Sequence, residues 1–142
     1  MLLPVPLHRK KRRQRGFNQS EMIARAALKL KPAQDRLILN ADMLLRRRAT
    51  QSQIGLTRHQ RRENIRGAFV VAKPGEVSGR EILLVDDVFT TGTTVSECAR
   101  ILRRSGASKV WVVTVARTLK LEASHVELDG GSEVHFAMAV SA

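Results

Sequence analysis

The clearest pattern in the chain is the uninterrupted apolar run Ile82–Val85, set between acidic residues, which predicts a parallel strand covered on both faces. Downstream, Val95, Cys98, Ala99, Ile101 and Leu102 recur at helical spacing, so a helix is predicted from near Thr94 to a natural stop at Gly106. A second apolar run, KVWVVTVA at 109–116, predicts another buried strand. Strand, loop, helix and strand in close succession make a βαβ unit, and the fold class this implies is α/β, a mainly parallel sheet flanked by helices.

Upstream, Leu2–Leu7 reads as a short strand, and Pro4 and Pro6 place it at a sheet edge because proline cannot donate to a ladder. The basic run Arg9–Arg15 reads as a loop. In GFNQSEMIARAALKLKP, Asn18 and Glu21 have capping-box spacing, Met22, Ile23, Ala26, Ala27 and Leu30 form one apolar face, and Pro32 ends the helix. RLILNADMLLRRR, rich in Leu and Ile, supplies one or two strand pieces, and GAFVVA supplies another. Between them Arg46–Arg66 is polar and lacks apolar periodicity, the pattern of a long mobile loop, while KPGEVSG is a turn-rich link. After Arg117 the signal weakens: SHVELDGGSEVHFAMAV suits a hairpin turning at Asp129–Gly131 or a loosely packed tail. The expected organisation is a domain over residues 1–117 followed by an extension over 118–142.

The 142 residues have room for one compact domain, and 43% apolar content is that of a globular chain. A net charge of +12 directs attention to an anionic partner: nucleic acid, a polyphosphate ligand or an acidic surface. A single cysteine, Cys98, excludes an intrachain disulfide or a cysteine metal cluster and fits a reducing, cytoplasmic setting. MLLPVPL is too short for a signal segment, no run is long enough for a membrane span, and the chain opens almost directly on a strand-like run, as expected of a domain lacking an N-terminal part.

The residues between the central strand and its helix carry the candidate chemistry. In open α/β sheets ligands bind beyond the carboxyl ends of strands, where helix N-termini present unpaired N–H groups. Thr90, Thr91, Thr93 and Thr94 offer hydroxyls there, and Gly92 allows a sharp turn and close backbone approach, a cradle for one phosphate. Asp86 and Asp87 would repel a phosphate, yet they accept hydrogen bonds from vicinal hydroxyls or from water on Mg²⁺. A ribose 5-phosphate meets both demands.

Other phosphate motifs fit less well. A Walker A loop needs a lysine after its last glycine, and none follows Gly92; the dinucleotide pattern GxGxxG is absent. A receiver-type phosphoacceptor domain would carry its acids near its start, and too little chain follows Asp129. Capping one helix requires one polar residue rather than this cluster around a glycine.

ILLVDDVFTTGTT closely resembles the phosphoribosyl diphosphate motif of type I phosphoribosyltransferases. Together with PVPLHRKKRRQRGFNQSEMIA, LLRRRATQSQIGLTRHQRRENIRGAF and the continuation to Arg117, the chain resembles the competence protein ComF family of that superfamily. The resemblance implies that Asp86 and Asp87 contact the ribose hydroxyls of phosphoribosyl diphosphate and organise Mg²⁺, and that Thr90, Thr91, Gly92, Thr93 and Thr94 hold its 5-phosphate. It implies that the segment carrying Arg9, Arg13, Arg15, Gly16 and Asn18 faces the diphosphate, and that Arg46, Arg48, Gln53, Arg62 and Asn64 belong to a mobile loop that closes over the reaction centre. Transfer of ribosyl phosphate to an acceptor, in a process linked to competence and DNA uptake, is the implied function. The cysteine-rich zinc segment usual in ComF-like proteins and a recognisable acceptor-selecting hood are both absent, so zinc and the acceptor do not carry over.

Two rivals arise from the same residues: a ligand sensor without turnover, and a basic DNA-binding accessory protein, partner to a helicase or uptake machine. The aromatic content of 4% argues against stacking platforms, with Phe17, Phe69, Phe89 and Trp111 read mainly as packing residues. His8, His59, His125 and His135 lack metal-ligand spacing, and Cys98, on the apolar helix face, reads as a buried inert thiol.

Overall fold

The computed structural model describes residues 1–30, 37–50, 55–118 and 135–138, with residue 58 and residues 135–138 described as backbone only. The elements run β1 (Leu2–Pro4), α1 (Arg9–Arg15), α2 (Gln19–Leu28), β2 (Leu44–Arg46), α3 (Arg58–Ile65), β3 (Phe69–Val71), α4 (Pro74–Val77), β4 (Glu81–Phe89), α5 (Thr93–Arg104), β5 (Lys109–Arg117) and β6 (His135–Met138).

The main sheet is ordered β1-β4-β5-β6, and every pairing in it is parallel. Leu83 on β4 lies opposite Leu2 on one side and Trp111 on the other, so the predicted Ile82–Val85 strand occupies the interior of the sheet. The predicted edge position of the first strand holds, and Leu2 is also covered from outside: its N–H donates to Ile38 C=O at 2.8 Å and its C=O accepts from Asn40 N–H at 3.0 Å. β2 and β3 form a separate antiparallel ribbon with Leu45 opposite Val70.

Alternation along β4 distributes its side chains between two cores. Ile82 and Leu84 pack with Val95, Cys98, Ala99 and Leu102 of α5 and with Leu44, Phe69 and Val71 of the ribbon. Val85 packs instead with Leu2 and with Ala24 of α2, joined by the half-buried Leu83. Burial on both faces is why this strand reads as a continuous apolar run. The predicted face of α5 is the observed one, and Gly106, at φ 92°, follows its last turn in the left-handed conformation.

Several expectations are corrected. Arg9–Arg15 is a helix, not a loop; its side chains carry no apolar periodicity because none of them is buried. α2 begins where predicted, but Asn18 makes no side-chain cap, and Glu21 pairs with Arg12 and Arg25 rather than closing a capping box. The expected apolar face of α2 holds only at Ile23, which packs against Leu2, Ala24 and Val85: Met22, Ala26, Ala27 and Leu30 are exposed, whereas Ser20 and Ala24 are buried, and the helix ends at Leu28, before Pro32. Arg46–Arg66 is not one long loop. Arg46 ends β2, and Thr57 and Gln60 form a reciprocal capping box that starts α3, a signal hidden by the lack of apolar residues before Ile65. The turn-rich KPGEVSG holds the one-turn helix α4. β4 runs on through both acids to Phe89, so Asp86 and Asp87 are strand residues rather than loop residues. β6 joins the main sheet although it lies in the stretch expected as an extension, and it pairs parallel to β5; the proposed turn at Asp129–Gly131 lies outside the described residues.

Candidate functional site

Asp86 stands near the carboxyl end of β4, opposite Thr114 on β5. Its Oδ1 accepts from Ser20 Oγ, on the first turn of α2, at 3.2 Å and from Asp87 N–H at 3.0 Å. Burial first, and repulsion from Asp87 second, push its carboxyl from 3.8 up to about 7, and the two hydrogen bonds offset this only in part. Asp87 Oδ1 accepts from Val88 N–H at 2.8 Å. A carboxylate whose charged form is so disfavoured, with a second beside it, is a pair that a divalent cation relieves. Mg²⁺ needs only one or two such groups, completing its shell with water and substrate oxygens. The pair fits that ion; among the described residues no three His, Cys, Asp or Glu side chains converge to hold a metal on their own.

Beyond Phe89 the chain turns through the threonines. Gly92 adopts φ 72°, and a Cβ built on it would lie 2.6 Å from Phe89 Cζ, so glycine is required twice over, by conformation and by space. Thr91 and Thr93 hydroxyls share a 2.9 Å hydrogen bond. Thr93 and Thr94 open α5, and Gly92 brings no side chain to cap its first N–H groups. Asp86 and Thr93 line the same narrow cleft, about 20 Å³ in volume, together with Thr90, Thr91, Gly92 and Thr94. Phe89 forms a wall of this cleft: it is buried, its ring sits against Gly92, and Arg117 Cζ lies 5.7 Å from its centroid.

A second cavity, about 590 Å³, opens between α1 and β2 and is lined by Arg9, Arg12, Arg13, Arg46 and Arg47, with Asp42 as its acidic member. Asn18 also lines it, held by donation from Nδ2 to Val5 C=O at 3.0 Å. Arg46 links this cavity to the acids. Burial lowers its pKa, and Asp86 is among the groups that act to raise it. Its guanidinium lies 5.4 Å from the Phe69 centroid and donates to Thr50 Oγ1, and its Nε is buried with no partner among the described residues.

The remaining expected site residues lie elsewhere. Arg15 donates to Gln19 Oε1, and Gly16, at φ 81°, ends α1. Arg48 donates to the carbonyls of Asn64 and Arg66, tying β2's outlet to the end of α3. Arg62 is exposed on α3, and Gln53 lies outside the described residues. Sequence reasoning missed Ser20, whose link to Asp86 spans 66 positions and leaves no linear trace. Arg12 and Arg47 sit within basic runs whose members the sequence does not tell apart, and Arg117 gives no signal beyond ending a strand.

A family model described as the phosphoribosyl transferase domain matches residues 38–137. The chain is 38% identical over 118 residues to a DNA utilization protein, YhgH, of Escherichia coli O157:H7, covering 83% of this chain and 49% of that protein. It is 39% identical over 119 residues to the DNA utilization protein YhgH of Salmonella typhi, with coverage of 83% and 49%. It is 35% identical over 118 residues to competence protein F of Haemophilus influenzae, with coverage of 82% and 49%. The chain thus spans about half the length of these relatives. With a parallel sheet flanked by helices and a motif loop at the end of its β4 strand, the chain belongs to the phosphoribosyl transferase domain family, as a competence-protein-F-like member.

Proposed function

We propose that this domain binds phosphoribosyl diphosphate with Mg²⁺ and transfers its ribosyl 5-phosphate to an acceptor. The observation that carries the reading is the shared cleft: Asp86 and the threonine loop meet at one end of an interior parallel strand, where hydroxyl donors and N–H groups favour a phosphate and carboxylates favour sugar hydroxyls.

In this reading Thr90, Thr91, Thr93 and Thr94 and the first N–H groups of α5 hold the 5-phosphate, and Gly92 lets the backbone approach it. Asp86 and Asp87 receive the ribose hydroxyls and hold Mg²⁺, directly or through water. Bound Mg²⁺ would neutralise charge on the departing diphosphate. Arg9, Arg12, Arg13, Arg46 and Arg47 supply guanidinium pairs for the diphosphate oxygens, which makes Arg46 a fixed strand residue rather than part of a closing loop. Positive charge already in place where negative charge gathers lowers the barrier without a covalent nucleophile. The names of the relatives support a role in competence and DNA utilization. No helix among the described residues is long and apolar enough to cross a membrane.

Calorimetric titration with phosphoribosyl diphosphate and Mg²⁺ tests the site: saturable binding is expected, and Asp86→Asn with Asp87→Asn should abolish it. Unchanged binding in the double variant overturns the assignment. Diphosphate release on adding candidate acceptors tests turnover; binding with no release across a broad panel favours a sensor.

A further inference from the structure

Ser20 stands on the first turn of α2, is 4% exposed, and sends its hydroxyl across to β4, where Oγ donates to Asp86 Oδ1. Packing alone does not call for that hydroxyl. Ala24, one turn further along the same face, is fully buried against Leu2 and Val85, so a methyl group is enough to seat the helix on this part of the sheet. Serines in the first turn of a helix commonly bond to backbone groups nearby, whereas this one directs its donor to a carboxylate 66 positions away.

The turn that carries Ser20 is itself pinned. Asn18, two residues earlier, donates from Nδ2 to Val5 C=O at 3.0 Å, Val5 N–H donates to Val85 C=O at 2.8 Å, and Ile23 and Ala24 pack with Leu2 and Val85. The hydroxyl therefore reaches Asp86 from a fixed point. Asp86 needs one, because the terminal torsion of an aspartate is broad and two-fold, and the charge of Asp87 beside it repels its carboxylate. Asp87 N–H also donates to Oδ1, at 3.0 Å, so the backbone of β4 and the side chain from α2 grip the same oxygen. Oδ2 is left to accept from a sugar hydroxyl or from water on a cation.

We propose that Ser20 is a positioning residue for the ligand: by holding Oδ1 against α2 it presents Asp86 Oδ2 to the ribose hydroxyls and to Mg²⁺. This role rests on the phosphoribosyl diphosphate reading and adds α2 to the elements that shape the site. Its effect falls on the acid pair alone, since Ser20 lines neither the threonine cleft nor the basic cavity.

Calorimetric titration of the full chain with phosphoribosyl diphosphate over a series of Mg²⁺ concentrations, at pH 8, tests the role. Losing the hydrogen-bond partner of a metal-holding carboxylate costs about 10–100-fold in metal affinity. Ser20→Ala should therefore raise the Mg²⁺ concentration needed for half-maximal binding by about tenfold or more, and Ser20→Thr, which keeps the donor, should restore it. Affinity for inorganic diphosphate without Mg²⁺ should stay at the wild-type value in both variants, because that anion meets the arginines of the basic cavity and not Asp86. Wild-type Mg²⁺ dependence in Ser20→Ala overturns the role. A folded Ser20→Thr chain as weak as Ser20→Ala also overturns it, leaving Ser20 a packing residue, and an equal loss of diphosphate affinity does so by showing that α2 is disturbed as a whole. Failure of the wild-type chain to bind phosphoribosyl diphosphate at any Mg²⁺ concentration overturns the underlying reading, and the role with it. Thermal melts of each variant separate lost positioning from lost folding.

Discussion

The ring of Phe89 occupies the space that a side chain on Gly92 would need, with only 2.6 Å between Cζ and the position of a Cβ. The two residues bracket the threonine turn. Phe89 is fixed in turn by its strand pairing with Arg117, by that residue's guanidinium, and by a 3.1 Å bond from Thr118 N–H to its carbonyl. The turn leading into α5 is therefore shaped by the far end of β5. Gly92→Ala should cost about 1–3 kcal/mol in chemical denaturation, from left-handed strain and the clash together, and should abolish phosphate-dependent ligand binding. Adding Phe89→Leu should recover part of the stability but not the binding, since the conformational strain persists.

The pH dependence of stability should carry the mark of Asp86. Its carboxyl titrates near 7 in the fold against 3.8 ordinarily, so the folded state holds the proton more tightly than the unfolded chain. Stability should then fall as pH rises from about 4 to about 7 and level off above that. Asp86→Asn should flatten this fall, leaving the variant more stable than wild type by about 2–4 kcal/mol at pH 8 and close to it at pH 4. Urea melts across this range measure it, and a variant less stable than wild type at pH 8 would contradict the assigned burial.

Ser20 should matter only while Asp86 is charged. Its hydroxyl donates to Oδ1, so Ser20→Ala should cost about 1 kcal/mol above pH 7 and little at pH 5. Ser20→Thr, which keeps the donor, should behave like wild type in the same melts.

Glu97 ties α5 to the α3–β3 turn by accepting from Gly67 N–H at 2.9 Å and from Arg100 at 2.8 Å. Burial opposes its charge, but Arg100 and the Gly67 amide more than offset this, holding its carboxyl below the usual 4.5. Its contribution is present above that value and lost as pH falls through the lowered one. Glu97→Ala should cost about 2–3 kcal/mol at pH 7 and less in acid, read by denaturant melts.

Arg46→Met should separate binding from folding. The apolar stem still covers Phe69 while a half-buried guanidinium is removed, so stability should change by less than about 1 kcal/mol. Titration with inorganic diphosphate should show affinity falling about tenfold, the loss of a charge-assisted pair. Unchanged affinity would place the diphosphate elsewhere.

How much of this was legible in the chain depended on the kind of signal. The β4–α5–β5 unit was readable because burial on both faces leaves an unbroken apolar run and a stripe at helical spacing. α1 and α3 were not, because neither has an apolar face to set a period; α3 rests on its cap, and α1 carries charge throughout. The face of α2 was misread in part for a related reason: beside Ile23 and Leu28 it buries the small residues Ser20 and Ala24, and it turns Met22, Ala26 and Ala27 outward.

The amino-acid order by itself determined the central strand, the acid pair, the threonine turn around Gly92 and the helix that follows, because each is a local demand met by neighbouring residues. Only the tertiary structure decided that Ser20 reaches Asp86, that Phe89 fills the space above Gly92, that Arg46 stands half-buried within electrostatic reach of the acids, and that Phe17 faces solvent. These are relations between elements distant in the chain. They arise from how helices and ribbon settle on the sheet, and packing of that kind leaves no period in the sequence to read.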